Sequence, residues 1–473
     1  MRLPVTADGR NRRCESRWRS RCLRIGAVAA SVVLGSLVSA TAADAQQQET
    51  ARLTLEDALA LARQNNPAYR RALAQADASG ADVMARLGGL LPDLQASLGF
   101  NGSARTVFTG TDDFGRSVEL DEASTFKSSS SSQSLRSNIT LFDGFASLNN
   151  LRGARAGVSA ADAGVDAQSA ALEAEIKRRF YQVLQAQQLI QIEESLLDVR
   201  MRDLEATDRL FRVAARTQVD VLGAQVEVSR QEQALDAARG TERANQLLLS
   251  EWIGLESAAP FEAVGTLPEV FDPSGLDADA LVSLVLSENP NVRQAMATAA
   301  QASFSATAAK GSRLPTISAN AGLSRSLQDQ GYGGMFKLNP RDRWFSFGVN
   351  VSLPVFNRFQ TNQAIAQANA NKDAAEEDLR AARLQVEREV RSNIIDVQNS
   401  YRTVQNAERS AQLARQRLTM AREQYQLGSI DYTQLQQVVT QSAGAERDAL
   451  SARGRWATAL VALEEVVGRP VRP

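Results

Sequence analysis

Apolar residues recur along this chain with two different periods, and the two periods alternate in blocks. In two long blocks, about residues 145–253 and 359–467, apolar side chains keep helical spacings, as at Leu172, Ile176 and Phe180. Neither block contains a proline, which would cost about 3 kcal/mol or more inside a helix. In four shorter blocks apolar and polar residues alternate, a period typical of strands with one wet face.

Each long block falters once, which predicts a helical hairpin rather than a single helix. The first breaks near residues 213–220, so that an outgoing helix over 145–211 and a returning helix over 218–253 are expected. The second predicts helices over 359–426 and 431–467. A helix of the outgoing length spans roughly 100 Å at 1.5 Å per residue. The apolar stripe is narrow, which favours coiled-coil-like packing side by side.

The alternating blocks predict four strands, and the segments between them predict loops. A polar run from about Thr109 to Ser132, rich in Gly, Ser, Thr and Asp, is expected to be a loop. Short helices precede each pair of strands and end at prolines, since the residue before proline is pushed out of the α region. The predicted strands cover about residues 93–108, 133–142, 314–326 and 344–356.

These elements occur twice in the same order, which is the signature of an internal repeat. Asn66-Pro67 in the first half corresponds to Asn289-Pro290 in the second. The predicted domains are a first repeat over 46–254, a connector forming an equatorial collar over 255–278, a second repeat over 279–469 and a C-terminal end over 470–473.

The composition narrows the class of protein to which this chain can belong. Residues 1–45 combine an arginine-rich start, a short apolar run and a small-x-small motif, which predicts a cleaved signal peptide. Both cysteines, Cys14 and Cys22, lie in it, neither at a lipidation position, and the chain has no histidine. We therefore expect no enzyme, no catalytic residues, no metal site and no cofactor. A net charge of −1 indicates no nucleic-acid partner.

Four strands are too few for a transmembrane barrel, which begins at eight strands and must close. Either the strands form a soluble sheet, or several copies pool them, and three copies would supply twelve. The export signal and the alternation favour pooling. Trp344, at the start of a strand, is predicted to anchor the barrel at the membrane interface. The alternative is a periplasmic coiled-coil scaffold or adaptor without a membrane barrel.

The doubled order, the Asn-Pro and Leu-Pro punctuation and the Leu-Phe-Asp-Gly strand end at 141–144 resemble the TolC family of outer-membrane efflux and type I secretion channels. The resemblance covers about residues 53–469. It implies a mainly α homotrimer with a twelve-stranded β-barrel in outer-membrane lipid and a long periplasmic α-barrel. The implied function is an exit duct that works with a periplasmic adaptor protein and an inner-membrane transporter.

The same resemblance places the periplasmic entrance at the two hairpin tips, where the adaptor would dock. The pattern Arg-Thr-x-Val-Asp-Val-Leu occupies the first tip, although it resembles the second tip of the best-known members. We predict that Arg216, Asp220 and Asp431 take part in closing the entrance; the alternative is that they only cap helices. The predicted tip residues are Arg216, Thr217 and Asp220 in the first hairpin and Gly428, Ser429, Ile430 and Asp431 in the second.

Overall fold

The computed structural model describes residues 51–111, 113–255, 261–333, 336 and 342–471. The predicted signal peptide lies outside these residues. The first half contains β1 (Ala51–Leu53), α1 (Leu55–Asn65), α2 (Pro67–Gly88), β2 (Asp93–Thr111), β3 (Ser117–Phe142), α3 (Ala146–Arg212) and α4 (Gln218–Ile253). The second half contains β4 (Phe261–Ala263), α5 (Ala278–Glu288), α6 (Pro290–Gly311), β5 (Thr316–Gln330), β6 (Asp342–Ser352), α7 (Gln360–Gln426) and α8 (Tyr432–Val467).

The long helices come in two matched pairs. α3 and α7 each have 67 residues, and α4 and α8 each have 36. No helix in the described ranges has both the length and the hydropathy needed to cross a membrane.

The Asn-Pro motifs fix the helix starts and tie them to the hairpins. Asn66 caps α2, accepting a hydrogen bond from the Tyr69 amide, and its own amide donates to the Trp252 carbonyl at 2.8 Å. In the second half, Asn289 caps α6 and donates to the Val466 carbonyl at 3.2 Å. Both asparagines are buried, and the proline that follows each is well suited to the first helical position.

One antiparallel sheet contains β2, β3, β5 and β6 in that order. The prediction of a loop between β2 and β3 is wrong over most of its length, because strands occupy those residues. β3 begins at Ser117, which pairs with Thr111 of β2. Its serine-rich part, from Ser128 to Ser132, is paired on both sides, with β2 and β5. Cross-strand hydroxyl pairs add to these ladders, as at Ser97 and Ser134, 2.6 Å apart. Backbone pairing therefore makes this polar run a strand without apolar alternation.

β6 also differs from its prediction, since it ends at Ser352 instead of residue 356. Pro354 follows, and proline has no amide hydrogen to donate to a ladder. β5 in turn continues to Gln330, beyond the predicted end at 326.

The register gives the sheet one apolar and one polar face. Phe347 and Val349 on the apolar face are 81% and 66% exposed in the single chain. The polar face carries residues such as Gln95, Arg136, Asn320 and Ser346. The apolar face consists of Leu94, Ala96, Leu98, Leu135, Ile139, Ile317, Ala319, Ala321, Leu323, Phe345, Phe347, Val349 and Val351.

Backbones cross closely where the sheet meets the helices. Gly144, with φ of +69°, lies against Gly311 at the end of α6, and a Cβ at position 144 would be 2.3 Å from the Gly311 carbonyl oxygen. Phe145 and Phe359 immediately precede the two long helices, have positive φ and stack edge-on against Phe142 and Phe356 respectively.

Two apolar cores lie at the junction of short and long helices. One is built around Ile176, Phe180 and Leu249, and the other around Val390 and Trp456. β1 pairs in parallel with β4, which brings part of the connector onto the first core. The described part of the connector, residues 261–278, is thus ordered against the helices.

Candidate functional site

Both hairpin tips turn through a residue in the left-handed conformation. In the second tip this is Gly428, with φ of +73°, and the Ser429 amide donates to the Gln424 carbonyl at 2.8 Å. In the first tip Ala214 takes this position with φ of +58°, and the Ala215 amide donates to the Leu210 carbonyl at 2.8 Å. A non-glycine residue there costs roughly 1–2 kcal/mol, so the first tip is the strained one.

The two predicted acidic gate residues cap helices within the chain. Asp220 forms a capping box with Thr217, whose hydroxyl donates to its carboxylate at 2.9 Å. Asp431 caps α8 and accepts a hydrogen bond from the Gln434 amide at 2.7 Å. Hydrogen bonds from Thr217, with a smaller effect of nearby Arg216, lower the pKa of Asp220. Within the described part of the chain, neither carboxylate has a basic group within 4.0 Å.

Arg216 connects the two hairpins. Its guanidinium lies over the ring of Tyr425 in α7, 4.7 Å from the ring centroid, and Tyr425 in turn approaches Tyr432 at 6.4 Å. Ile430 packs against the same group of side chains, which also includes Ala224 of α4. Burial raises the pKa of Tyr432 to about 12, so its hydroxyl stays neutral. The structure thus brings Arg216 and Ile430 together, while Thr217, Asp220, Gly428, Ser429 and Asp431 shape the turns.

Above the tips, polar groups are buried between the hairpins. Arg200 of α3 is 7% exposed and donates to the Thr440 hydroxyl at 3.3 Å. Asp203 lies one helical turn along, and burial raises the pKa of its carboxyl against the opposing effect of Arg422 and Arg200. An oxygen of Asp203 and the Tyr425 hydroxyl are buried without a hydrogen-bond partner in the described structure. Such groups destabilise the packing of the two hairpins against each other.

Further from the tips, Glu193 joins three helices. Arg447 of α8 donates two hydrogen bonds of 2.6 Å to its carboxylate, and Gln231 of α4 donates another of 2.6 Å. The Glu193 side chain is 4% exposed and that of Arg447 is 38% exposed. Burial by itself would raise the pKa of Glu193, but the hydrogen bonds from Arg447 and Gln231 outweigh it and hold that pKa below its usual value.

The contact between α3 and α8 continues towards the apolar cores. Lys177 pairs with Glu464 at 3.2 Å, and Arg178 pairs with Glu465 at 2.5 Å. From Lys177 to Arg200 these polar links extend over roughly 35 Å of helix. α8 of the second repeat is therefore attached to α3 of the first by a column of charged and polar side chains.

These residues were not among the predicted sites, although the sequence carried a signal for them. Glu193, Arg200 and Thr207 recur every seven residues, and all three are buried. They lie within the apolar stripe of α3 that contains Leu197 and Leu204. Polar residues at heptad spacing inside such a stripe are typical of positions that specify a partner helix.

Trp344 does not lie on the apolar face of the sheet. It pairs with Ser324 and shares its face with Ser346 and Asn350, because side chains two residues apart point the same way. The period of the strand therefore places Trp344 on the polar face, opposite Phe345 and Phe347. Its role as a membrane-interface anchor stays a prediction.

The fold and the tips define a class of protein: two repeats of a long helical hairpin, joined to an amphipathic sheet with open edges. The model of the outer membrane efflux protein family matches residues 58–255 and 281–469. The chain belongs to this family of outer-membrane proteins, and the resemblance seen in the sequence is confirmed.

Solved structures share the fold. A membrane protein from Pseudomonas aeruginosa superimposes with a TM-score of 0.72 and 19% identity, covering 88% of this chain and 90% of that one. The CmeC outer membrane channel from Campylobacter jejuni superimposes with a TM-score of 0.72 and 17% identity, covering 88% of this chain and 85% of that one. The outer membrane efflux protein BepC from Brucella suis is 27% identical over 263 residues, which are 53% of this chain and 51% of BepC. The match therefore spans about half the length of that relative.

Proposed function

We propose that three copies of this chain form an outer-membrane exit duct for an efflux pump or type I secretion system. Their four-stranded sheets would close into a twelve-stranded barrel, and their hairpins would form a periplasmic α-barrel. In this proposal the duct receives substrates through a periplasmic adaptor protein and an inner-membrane transporter.

The observation that carries the proposal is the state of the sheet. β2 and β6 are its outer strands, and within the described residues each pairs with a neighbour on one side only. A sheet that has long unpaired edges beside an exposed apolar face tends strongly to associate with another sheet. Joining β6 of one copy to β2 of the next removes every edge, and lipid then covers the apolar face. A periplasmic scaffold without a barrel would leave both the edges and this face in water.

The barrel is tested by the direction in which β6 side chains point. Both native cysteines precede residue 46, so single cysteines can be introduced after it without interference. In outer-membrane vesicles, Asn350→Cys is expected to react with a membrane-impermeant maleimide, while Val349→Cys is protected by lipid. Equal labelling of the two neighbours, or a protein that stays in the soluble periplasmic fraction, would rule out the barrel. Native mass spectrometry in detergent should give a mass of three copies.

We further propose that the tips close the entrance, with Arg216 on Tyr425 as one of the closing contacts. A cation–π contact at an exposed site is worth about 1 kcal/mol, which is roughly a fivefold change in the open-to-closed ratio. Arg216→Ala should therefore raise the open probability in single-channel recordings. Arg243→Ala, at an exposed position of α4 remote from the tips, is the matched control. In a triple variant, Arg216, Asp220 and Asp431 are all replaced by Ala. If its open probability equals that of the wild type, the proposed gate is wrong.

The tips also carry the exposed apolar residues suited to docking an adaptor. Val213, Val219 and Leu427 are 72%, 75% and 81% exposed. Apolar side chains at the end of a hairpin are a surface that a partner can bury. Val219→Asp with Leu427→Asp should abolish cross-linking to the adaptor and leave trimer formation intact. Undiminished cross-linking would place the docking surface elsewhere.

A further inference from the structure

The apolar face of the sheet is interrupted by a row containing two arginines. The row below it is wholly apolar: Ala96, Leu135, Leu323 and Phe345 lie side by side across the four strands. The arginine row, one step further from the helices on the same face, consists of Leu98, Gln133, Arg325 and Arg343.

Arg325 and Arg343 are directly opposite each other on β5 and β6. Directly opposed side chains have Cβ atoms about 5 Å apart, and like charges in that position destabilise a sheet. Within the described part of the chain, neither guanidinium has a carboxylate within 4.0 Å. The repulsion is stronger beside an apolar surface, where the effective dielectric constant is lower than in bulk water. Among the residues that the structure describes, the pair therefore has no counter-ion.

We infer that Arg325 and Arg343 together bind a phosphate group carried by a lipid of the membrane leaflet remote from the helices. This inference rests on the proposed barrel, which puts the apolar face in lipid. The planar guanidinium matches the oxygens of phosphate in two-pronged hydrogen bonds, and two such groups can share one phosphate. The lipid's acyl chains would then lie along Leu323, Phe345 and Phe347, immediately below the charged row.

The position fits this ligand better than a dissolved anion. A free phosphate gains only the charge interaction, whereas a lipid phosphate is also held at this height by chains buried on the apolar rows. Gln133, the next residue of the arginine row on β3, places an amide beside Arg325. Lipid phosphates occur at the level where the hydrocarbon ends. Counted from the helices, the arginine row is the first row of this face that carries charge.

The test is a titration of the detergent-solubilised protein with phosphatidic acid, followed by native mass spectrometry. Arg325→Gln with Arg343→Gln is the test variant. Arg136→Gln is the matched control, because Arg136 belongs to the same sheet but lies on its polar face. Each arginine contributes about 1 kcal/mol near an anionic lipid surface, so the double variant should bind roughly 30-fold more weakly. The control variant should bind like the wild type.

Two outcomes would overturn the inference while leaving the proposed duct intact. One is equal affinity of the double variant and the Arg136→Gln control in a protein that still inserts into membranes. The other is complete displacement of phosphatidic acid by inorganic phosphate, which would indicate a site for the free anion. Failure of the wild type to float with membrane vesicles would instead refute the barrel itself.

A second measurement, of the thermal midpoint, does not require the number of bound lipids to be determined. In a non-ionic detergent, Arg343→Gln relieves the like-charge pair and should raise the thermal midpoint. In vesicles of phosphatidylcholine with phosphatidic acid, the same substitution removes a lipid contact and should lower it. A change of the same sign in both media would show a purely structural role and contradict the inference.

Discussion

Removing Arg447 from the contact between α3 and α8 is expected to destabilise that contact more than removing its partner Glu193. The reason is the unequal exposure of the two side chains, 38% for Arg447 and 4% for Glu193. Without Arg447, the carboxylate of Glu193 stays buried with only the amide of Gln231 as a charge-stabilising donor. Without Glu193, the guanidinium can reach water.

The expected cost of each substitution in free energy follows from this difference in exposure. Removing one partner of a fully buried ion pair costs about 3–5 kcal/mol, and the partial exposure of Arg447 moves Arg447→Met to the lower end, about 3 kcal/mol. Glu193→Gln keeps the shape and loses hydrogen bonds to a charge that water replaces in part, about 1 kcal/mol. The double variant leaves no buried charge and should cost about 2 kcal/mol, so the two sites are coupled by about 2 kcal/mol.

Hydrogen–deuterium exchange of the α8 amides around Arg447 measures this locally, since it reports the free energy of opening for each segment. The matched control is the exposed ion pair of Glu194 and Arg239, which joins α3 and α4 at 3.0 Å with both side chains about half exposed. Removing either of those residues should change the free energy of opening by less than about 1 kcal/mol.

Two results would contradict this expected difference between the variants. Additive costs for Glu193→Gln and Arg447→Met would show that the pair is not coupled, and a larger cost for Glu193→Gln would reverse the exposure argument. The pH dependence is a further check. Because the folded-state pKa of Glu193 is lowered from 4.5, its contribution is complete above that pH and disappears as the pH falls through the folded value.

Two further substitutions have expected outcomes. Burial raises the folded-state pKa of Asp203 above 3.8, so Asp203→Asn should raise the thermal midpoint at pH 7, and the gain should vanish at pH values below the ordinary pKa. A gain that is independent of pH would contradict this. Gly144→Ala forces a backbone shift against Gly311 and should cost about 3 kcal/mol or more in thermal unfolding. Gly240→Ala, which meets nothing within 4 Å in mid-helix, should instead stabilise by about 0.5–1 kcal/mol.

Much of the fold could be predicted from the sequence because its signals are local and repeated. The absence of proline, the helical spacing and the Asn-Pro caps locate the long helices to within a residue or two, as at Ala146 and Ile253. The serine-rich part of β3 could not be predicted. Its strand conformation comes from pairing with β2 and β5 on both sides, and β5 lies almost two hundred residues further along the chain.

The site was less predictable, for a physical reason. Capping chemistry identifies Thr217 and Asp431 from sequence, because the bonds they make are to residues three positions away. The partner of Arg216 is Tyr425 in the other hairpin, and no local rule connects the two. Trp344 was assigned to lipid from its residue type, whereas the face on which a strand residue lies depends on its parity along the strand.

The repeat itself shows that the polar column between α3 and α8 is not required by the fold. At the landmark offset between the hairpins, Glu193, Arg200 and Thr207 correspond to Ala407, Ala414 and Ala421 of α7. The same helix length and the same tip geometry are thus built with alanine in one half and with buried charge in the other. Apolar replacement of a buried ion pair is often neutral or stabilising, so stability alone does not explain the charges. We expect the charges instead to fix one register of α8 on α3 and to make departure from that register costly. The coupling free energy between Glu193 and Arg447 then measures how firmly this register is fixed.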